Sequence, residues 1–216
     1  MDKSVLWQLT YGMYALTAMD NARPTGCIIN TAIQVTSDNP TIAISLNRNN
    51  YTYDVIKKSG RFAISILSEQ TPQMVISMLG FASGRDKDKF AGDDFTWEMR
   101  DNLPVITDKT CGFLSCEVIT VVEMETHFVI IARVLDSVAL GNYVPMTYKY
   151  YHDVIKGKAP KNAPTYQKED VSVTANASER WVCSVCGYIY EGDLTKEPDN
   201  FTCPICKQPK SVFKKM

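Results

Sequence analysis

The chain has 216 residues and a mass of 24.3 kDa, enough for one large domain or for a medium domain with a small one. The formal net charge of −1 leaves no basic surplus, so neither nucleic acid nor an anionic membrane is an expected partner. The start lacks the features of a signal peptide, and no run approaches eighteen apolar residues, so we expect a cytoplasmic location and no membrane span. Four of the seven cysteines cluster near the C-terminus, which is unlike a secreted disulfide framework.

Strand-like runs dominate the first 140 residues. The opening WQLTYGMYAL predicts a short helix, and the strand predictions that follow are Gly26–Ser37, Thr41–Leu46, Arg61–Leu67, Phe113–Met124 and Phe128–Leu140. One helix is expected between a cap at Asn49 or Asn50 and a stop at Gly60, and another from Thr71–Pro72 to Gly80. Nothing repeats at a βαβ spacing, so the predicted fold is mainly β, a closed or nearly closed antiparallel barrel with a few helices.

The composition changes after Tyr151. The segment Lys156–Glu179 is rich in Pro, Lys, Asn and Ser and has little apolar periodicity, which is typical of an extended linker. We therefore expect a first domain over residues 1–158, a linker over 159–179 and a small terminal module over 180–216.

The terminal module holds two Cys-x-x-Cys pairs with sixteen residues between them, in CSVCGYIYEGDLTKEPDNFTCPIC. A module of 37 residues rarely buries enough apolar surface to fold unaided, so a metal cross-link is expected. The predicted ligands are Cys183, Cys186, Cys203 and Cys206. Four thiolates suit a tetrahedral zinc or iron ion, and the spacing alone does not separate the two.

The residues around these cysteines resemble rubredoxin. Gly187–Tyr188 after the first pair, Pro204 inside the second and Phe213 in the trailing QPKSVF match that family, whose small aromatic core Trp181 and Tyr190 would complete. The resemblance implies one iron held by the four cysteines, with zinc able to fill the same site when iron is scarce.

The first domain resembles the flavin reductase-like family of FMN-binding split β-barrels, especially members fused to rubredoxin. The resemblance lies in the run Thr25–Leu67, in GRDKDKF and in THFVIIARVLD, and it covers most of residues 1–166. It implies bound FMN, with NAD(P)H as electron donor. The residues that it assigns to the flavin ring and its edge are Thr25, Gly26, Cys27, Asn30, Thr31 and Lys89, and those that it assigns to the ribityl chain and phosphate are Ser45, Leu46, Asn47, Arg48, Asn49, Asn50 and Thr52.

Simpler interpretations exist for several of these positions. NRNNYT is also typical of a polar loop with a helix cap, and Asn30 fits a surface-facing strand residue. Lys89 fits a solvated charge beside a core aromatic. His127 lies where related flavin reductases place a histidine near the flavin and nicotinamide, which makes it the candidate catalytic residue, but it also fits a solvated histidine at a strand start.

Together the two resemblances imply an electron-transfer oxidoreductase. Nicotinamide gives up two electrons as hydride, an iron in four thiolates takes one, and a flavin handles both. The expected path runs from NAD(P)H through FMN to the iron and on to a redox partner such as a flavodiiron protein that reduces oxygen or nitric oxide. One alternative is an NAD(P)H-dependent free-flavin reductase with an accessory metal module, and another is a non-enzymatic association module holding zinc. Family resemblance also implies a homodimer.

Overall fold

The computed structural model describes residues 1–155, 180–185, 188–204 and 208–215. The linker predicted over residues 159–179 lies outside these ranges, as do Cys186 and Cys206. Within the described residues, no helix combines the length and the apolar character needed to cross a membrane.

The first domain is built on one antiparallel sheet of seven strands. Its strands and those of a separate hairpin are β1 (Tyr14–Asp20), β2 (Arg23–Ile29), β3 (Ala32–Thr36), β4 (Thr41–Asn47), β5 (Arg61–Ile66), β6 (Trp97–Arg100), β7 (Leu103–Ile106), β8 (Gly112–Glu123) and β9 (His127–Ala139). The sheet order is β2-β1-β5-β8-β9-β4-β3, and β6 pairs with β7. Within residues 1–155, three helices, α1 (Tyr51–Ser59), α2 (Gln73–Gly80) and α3 (Tyr148–Asp153), accompany them, with a 3₁₀ turn at Lys3–Gln8. The prediction of a mainly β split barrel with few helices is confirmed.

Local sequence signals fix α1. The Asn50 side chain accepts a hydrogen bond of 2.9 Å from the Thr52 amide at the helix start, and Gly60 ends the helix in the left-handed conformation at φ 69°. Val55 and Ile56 are buried against the sheet. The predicted cap, span and stop are all confirmed.

Two element predictions are wrong for a shared reason, the pairing of distant strands. The stretch predicted as an N-terminal helix ends in β1, because Leu16 lies buried between β2 and β5 and tertiary packing outweighs helix propensity. The single strand predicted over Gly26–Ser37 is two strands that break at Asn30–Thr31. In the sheet order β2 and β3 occupy opposite ends, so the chain has to leave one edge and join the other.

The barrel interior is apolar and closely filled. Its largest fully buried side chains include Leu16, Ile44, Leu46, Phe62 and Ile64. Burying each such side chain contributes about 1.5–3 kcal/mol relative to leaving it in water. This core fixes the strands whose ends carry the polar residues described below.

The terminal module is a small sheet around an aromatic cluster. Its strands are β10 (Arg180–Cys183), β11 (Ile189–Glu191) and β12 (Phe213–Lys215), in the order β11-β10-β12. Phe201 packs edge-on against Tyr190 at 5.5 Å and against Phe213 at 5.8 Å between ring centroids, and Leu194 is buried beside them. The expected aromatic core is present, with Phe201 added to it.

Candidate functional site

A cavity of about 360 Å³ opens where strands β2 and β4 end beside the start of α1. The end of α2, the loop that follows it at residues 81–84, and α3 complete the walls. Of the residues assigned to the flavin from sequence, those that line the cavity are Cys27, Asn30, Ser45, Leu46, Asn47, Asn49, Asn50, Thr52 and Lys89. The volume lies within the range of about 300–1,000 Å³ that small-molecule sites occupy.

The start of α1 gives one end of the cavity its polarity. The Asn47 side chain accepts a 2.9 Å hydrogen bond from the Asn49 amide, and Asn50 caps the helix through Thr52. Backbone amides at a helix N-terminus, together with the positive end of its dipole, favour an anionic group. The stretch NRNNYT therefore contains a helix cap and also contributes to the cavity wall, and its contact with a flavin stays a prediction.

Lys89 is a buried cation at the cavity wall. Lys89 is only 4% exposed. Its Nζ donates a hydrogen bond to the Gly26 carbonyl at 2.8 Å and another to the Leu79 carbonyl at 2.7 Å. Burial lowers the pKa of Lys89. The interpretation of Lys89 as a solvated charge is wrong. The ammonium instead ties β2 to the end of α2.

Cys27 lies at the same wall as Lys89. Burial raises the pKa of this thiol, while the Lys89 charge and hydrogen bonds with Thr52 and Asn50 lower it in part. Cys27 thus presents a small, polarizable side chain to the cavity.

Four residues assigned to the flavin do not line the cavity. Arg48 donates through Nε to the Met124 carbonyl at 2.9 Å and pairs with Glu123 at 2.6 Å, so its guanidinium faces the β8–β9 turn and not the cavity. Thr31 donates to the Asn30 side-chain oxygen at 3.0 Å. The Gly26 carbonyl is occupied by Lys89, and Thr25 is buried behind the wall.

His127 lies next to the cavity without lining it. It is half-buried at the start of β9, directly opposite the lining residue Asn47 in the β4–β9 pairing. The Thr126 hydroxyl lies 2.8 Å from Nδ1. This places the imidazole one strand from the site, and its catalytic role stays a prediction.

Sequence reasoning missed the loop after α2 and the aromatic residues of the wall. Phe81, Gly84, Tyr51 and Tyr151 all line the cavity, although GFASG follows no strand and offers no recognised nucleotide motif. Gly84 shows why a glycine stands there: a Cβ at this position would lie 2.2 Å from Thr25 Oγ1. No local pattern reveals that approach, because the two residues meet only in the folded chain.

The residues present fit a flavin mononucleotide. The cavity combines apolar walls that suit an isoalloxazine ring with amide side chains for its polar edge and a helix start for its phosphate. Thr25 Oγ1 is buried at 1% exposure and, among the described residues, has no hydrogen-bond partner. This hydroxyl packs directly behind Gly84, which itself lines the cavity.

The described half of the cysteine set fits a metal ion. Cys183 and Cys203 are buried at 1% and 0% exposure in a module too small to rely on its apolar core alone. The Cys183 amide donates to the Tyr188 carbonyl and the Cys203 amide donates to the Gln208 carbonyl, both at 2.8 Å. Thiolates so placed suit a tetrahedral soft-ligand site, with Cys186 and Cys206, both outside the described residues, as the remaining predicted ligands.

A split barrel with a nucleotide-sized cavity, joined to a small four-cysteine module, defines a class of two-centre redox proteins. Comparison with known proteins agrees with that definition. Residues 6–156 match the flavin reductase like domain, and residues 181–214 match the rubrerythrin, rubredoxin-like domain. The chain belongs to the flavin reductase-like family and carries a rubredoxin-like domain at its C-terminal end.

One relative aligns over the whole chain, and another aligns over most of it. High molecular weight rubredoxin from Moorella thermoacetica is 38% identical over 230 aligned residues, which cover 100% of both chains. Ferric-chelate reductase (NAD(P)H) from Archaeoglobus fulgidus is 31% identical over 166 residues, 77% of this chain and 98% of that protein.

Solved structures support the fold of the first domain. A flavin reductase domain protein from Arthrobacter superposes with a TM-score of 0.60 at 16% identity, over 68% of this chain and 87% of that one. An FMN-binding protein from Thermus thermophilus gives a TM-score of 0.55 at 17% identity, over 61% of this chain and 73% of that one. At these identities the likeness concerns the fold alone.

Proposed function

We propose that this protein carries electrons from NAD(P)H through bound FMN to a rubredoxin-type iron site and on to a redox partner, such as a flavodiiron protein that reduces oxygen or nitric oxide. As a member of the flavin reductase-like family, the chain is an NAD(P)H-dependent flavin oxidoreductase. Its fusion to a rubredoxin-like domain makes electron transfer from flavin to rubredoxin its general activity. The redox partner and FMN as the particular flavin both belong to the proposal.

One observation carries this proposal: a cavity suited to a flavin and a pair of buried cysteines suited to iron occur on a single chain. When bound, FMN exchanges two electrons with nicotinamide and one at a time with a single iron. The chain's own contribution is to bind and position. The start of α1 receives the flavin phosphate, and Lys89 and Cys27 lie at the wall beside the flavin ring. The terminal module buries the cysteine thiolates that hold the iron.

The decisive experiment uses the full-length protein loaded with FMN and iron. Under anaerobic conditions, addition of NADH should bleach the flavin absorption band and then the ferric–thiolate band. Cys203→Ser removes a buried predicted ligand, and we expect it to abolish reduction of protein acceptors while leaving NADH-driven flavin reduction intact. Cys111→Ser, a half-buried cysteine outside both sites, is the matched control and should behave like the unmodified protein.

The same measurement tests the free-flavin alternative, which the relatives that act as flavin and ferric-chelate reductases favour. In that case the flavin is a diffusing substrate and the iron site is accessory. Electron delivery to a protein acceptor would then be the same in Cys203→Ser as in the unmodified chain, and added FMN would turn over at an unchanged rate. That result would refute the relay.

We further propose that the protein works in the cytoplasm as a homodimer. The outer face of β3 exposes Ile33 and Val35, at 61% and 51%, and the far half of β8 exposes Ile119 and Val122. Exposed apolar strand residues of this kind favour a self-association surface over open solvent. Ile33→Lys should shift the sedimentation profile towards monomer, whereas a profile unchanged by the substitution would place the interface elsewhere.

A further inference from the structure

Arg23, which lies outside the cavity, joins two residues that line it. Its Nη2 donates to the Gly84 carbonyl at 2.9 Å and to the Tyr51 hydroxyl at 3.1 Å. Tyr51 is the first residue of α1, and Gly84 ends the loop that follows α2. A single guanidinium therefore bridges the two walls that meet at the phosphate end of the cavity.

The bridge is itself anchored on the β1–β2 hairpin. Asp20 and Arg23 face each other as the last pair of that hairpin, with 3.6 Å between the Arg23 guanidinium and the Asp20 carboxylate. The Tyr51 hydroxyl donates to the same carboxylate, and this hydrogen bond is the main cause of a raised pKa at Tyr51. Arg23, Asp20 and the Tyr51 hydroxyl therefore all have partners within the protein, and the Arg23 guanidinium serves to connect the two cavity walls.

The bridged parts approach very closely. A Cβ on Gly84 would lie 2.2 Å from Thr25 Oγ1 and 3.0 Å from Cδ1 of Tyr51, so only glycine allows the loop to sit where Arg23 holds it. Thr25 Oγ1 is the buried hydroxyl that has no partner among the described residues. The Arg23 bridge, the close-packed loop and the start of α1 thus meet beside one end of the cavity.

A second guanidinium supports Tyr51 from the loop side. Arg85 lies over the Tyr51 ring at 5.4 Å from its centroid and pairs with Asp54 of α1 at 3.1 Å, while Arg23 lies 5.9 Å from the same centroid. The Arg85 side chain is 61% exposed, so this contact is weak compared with the bonds of Arg23. The stronger tie between loop and helix is the one through Arg23.

We propose that Arg23 is a positioning residue that fixes the Gly84 loop against the start of α1 and thereby sets how tightly the cavity holds the phosphate of a flavin mononucleotide. The inference rests on the proposed function in one respect, that FMN occupies this cavity. Loss of the bridge leaves the loop held only by its weaker contacts, so the phosphate end loses its fixed geometry. The ring end, bounded by Cys27 and Lys89, keeps its own contacts.

The test compares two flavins that differ only in the phosphate. Apoprotein of the full chain is titrated with FMN and with riboflavin, and each dissociation constant is read from quenching of flavin fluorescence. The unmodified protein should bind FMN more tightly than riboflavin. Arg23→Met, which keeps length and loses every donor, should weaken FMN binding about tenfold, since charge-assisted hydrogen bonds of this kind contribute that much. Riboflavin affinity should change by less than about threefold.

Two further variants separate positioning from general stability. Arg61→Met removes a β5 arginine of similar side-chain exposure, 30% against 38%, that pairs with Asp101 away from the cavity. Its flavin affinities should match those of the unmodified protein, at a melting temperature close to that of Arg23→Met. Arg23→Lys retains the charge and a donor and should recover part of the lost FMN affinity.

The possible results of these titrations distinguish failure of the Arg23 proposal from failure of the flavin assignment. Equal weakening of FMN and riboflavin, or an unchanged FMN affinity in Arg23→Met, overturns the positioning role and leaves the flavin assignment in place. An unmodified apoprotein that binds neither flavin overturns both. Should Arg23→Met fail to fold, Tyr51→Phe decides, because it removes one arm of the bridge. A selective loss of FMN affinity there supports the proposal, and unchanged affinity overturns it.

Discussion

Substitution of the buried lysine at the cavity wall, Lys89→Met, tests how the site is held together. Methionine has a similar length and no charge, so it removes the hydrogen bonds to the Gly26 and Leu79 carbonyls without leaving a large void. Each charge-assisted bond contributes about 1.5–3 kcal/mol, which gives about 3–6 kcal/mol for the pair. The substitution also relieves the desolvation of a buried ammonium, a cost of several kcal/mol.

The balance is a net destabilisation of about 2 kcal/mol, because two buried carbonyls are left unpaired. For a chain of this size the loss corresponds to a decrease of about 4–8 °C in melting temperature. Urea denaturation of the flavin-free protein measures the free energy of unfolding. Lys87→Met, a surface lysine two residues away, is the control and should lie within about 0.5 kcal/mol of the unmodified protein.

The pH dependence gives a second readout of the same variant. Burial lowers the pKa of Lys89 in the folded protein, whereas in the unfolded chain this pKa has its ordinary value of about 10.4. At any pH between these two pKa values, the unfolded chain binds more protons than the folded protein does. The stability of the unmodified protein relative to Lys89→Met should therefore rise as pH increases through that window. Equal stability of the Lys89 and Lys87 variants, or a relative stability that falls with pH, would refute the account of a buried, bonded ammonium.

Three other predictions concern separate features. Gly60→Ala should lower the free energy of unfolding by about 1 kcal/mol, because φ is 69° there; among the described residues, no atom lies within 4 Å of the added Cβ to cause a clash. An unchanged free energy of unfolding would contradict the left-handed cap. At pH 8 a disulfide reagent should modify Cys111 well before Cys116. Burial raises the pKa of Cys116 to about 12, so only roughly one Cys116 thiol in ten thousand is ionised at that pH. Peptide mapping that finds both cysteines modified at the same rate would contradict this prediction. His127→Gln should lower kcat for NADH-driven reduction at least about tenfold while FMN affinity stays constant, and an unchanged kcat would remove His127 from the reaction.

The sequence determined those features whose causes are local. The α1 cap at Asn50 and stop at Gly60 follow from the backbone chemistry of a few adjacent residues, and the structure shows both. The long strands β8 and β9 were predictable from runs of β-branched residues. The cysteine spacing and its flanking residues identified the terminal module without reference to anything distant, because a small metal module has little else to hold it together.

The tertiary structure decided what depends on distant strands meeting. The break at Asn30 follows from β2 and β3 taking opposite edges of the sheet, which no window of neighbouring residues encodes. The same pairing buries Lys89, turns Arg48 towards the β8–β9 turn, and brings Arg23 to Gly84 across 61 positions of sequence. Residue types specify which chemistry is possible at a site. Only the closing of the barrel, driven by burial of its apolar interior, selects which side chains share the cavity.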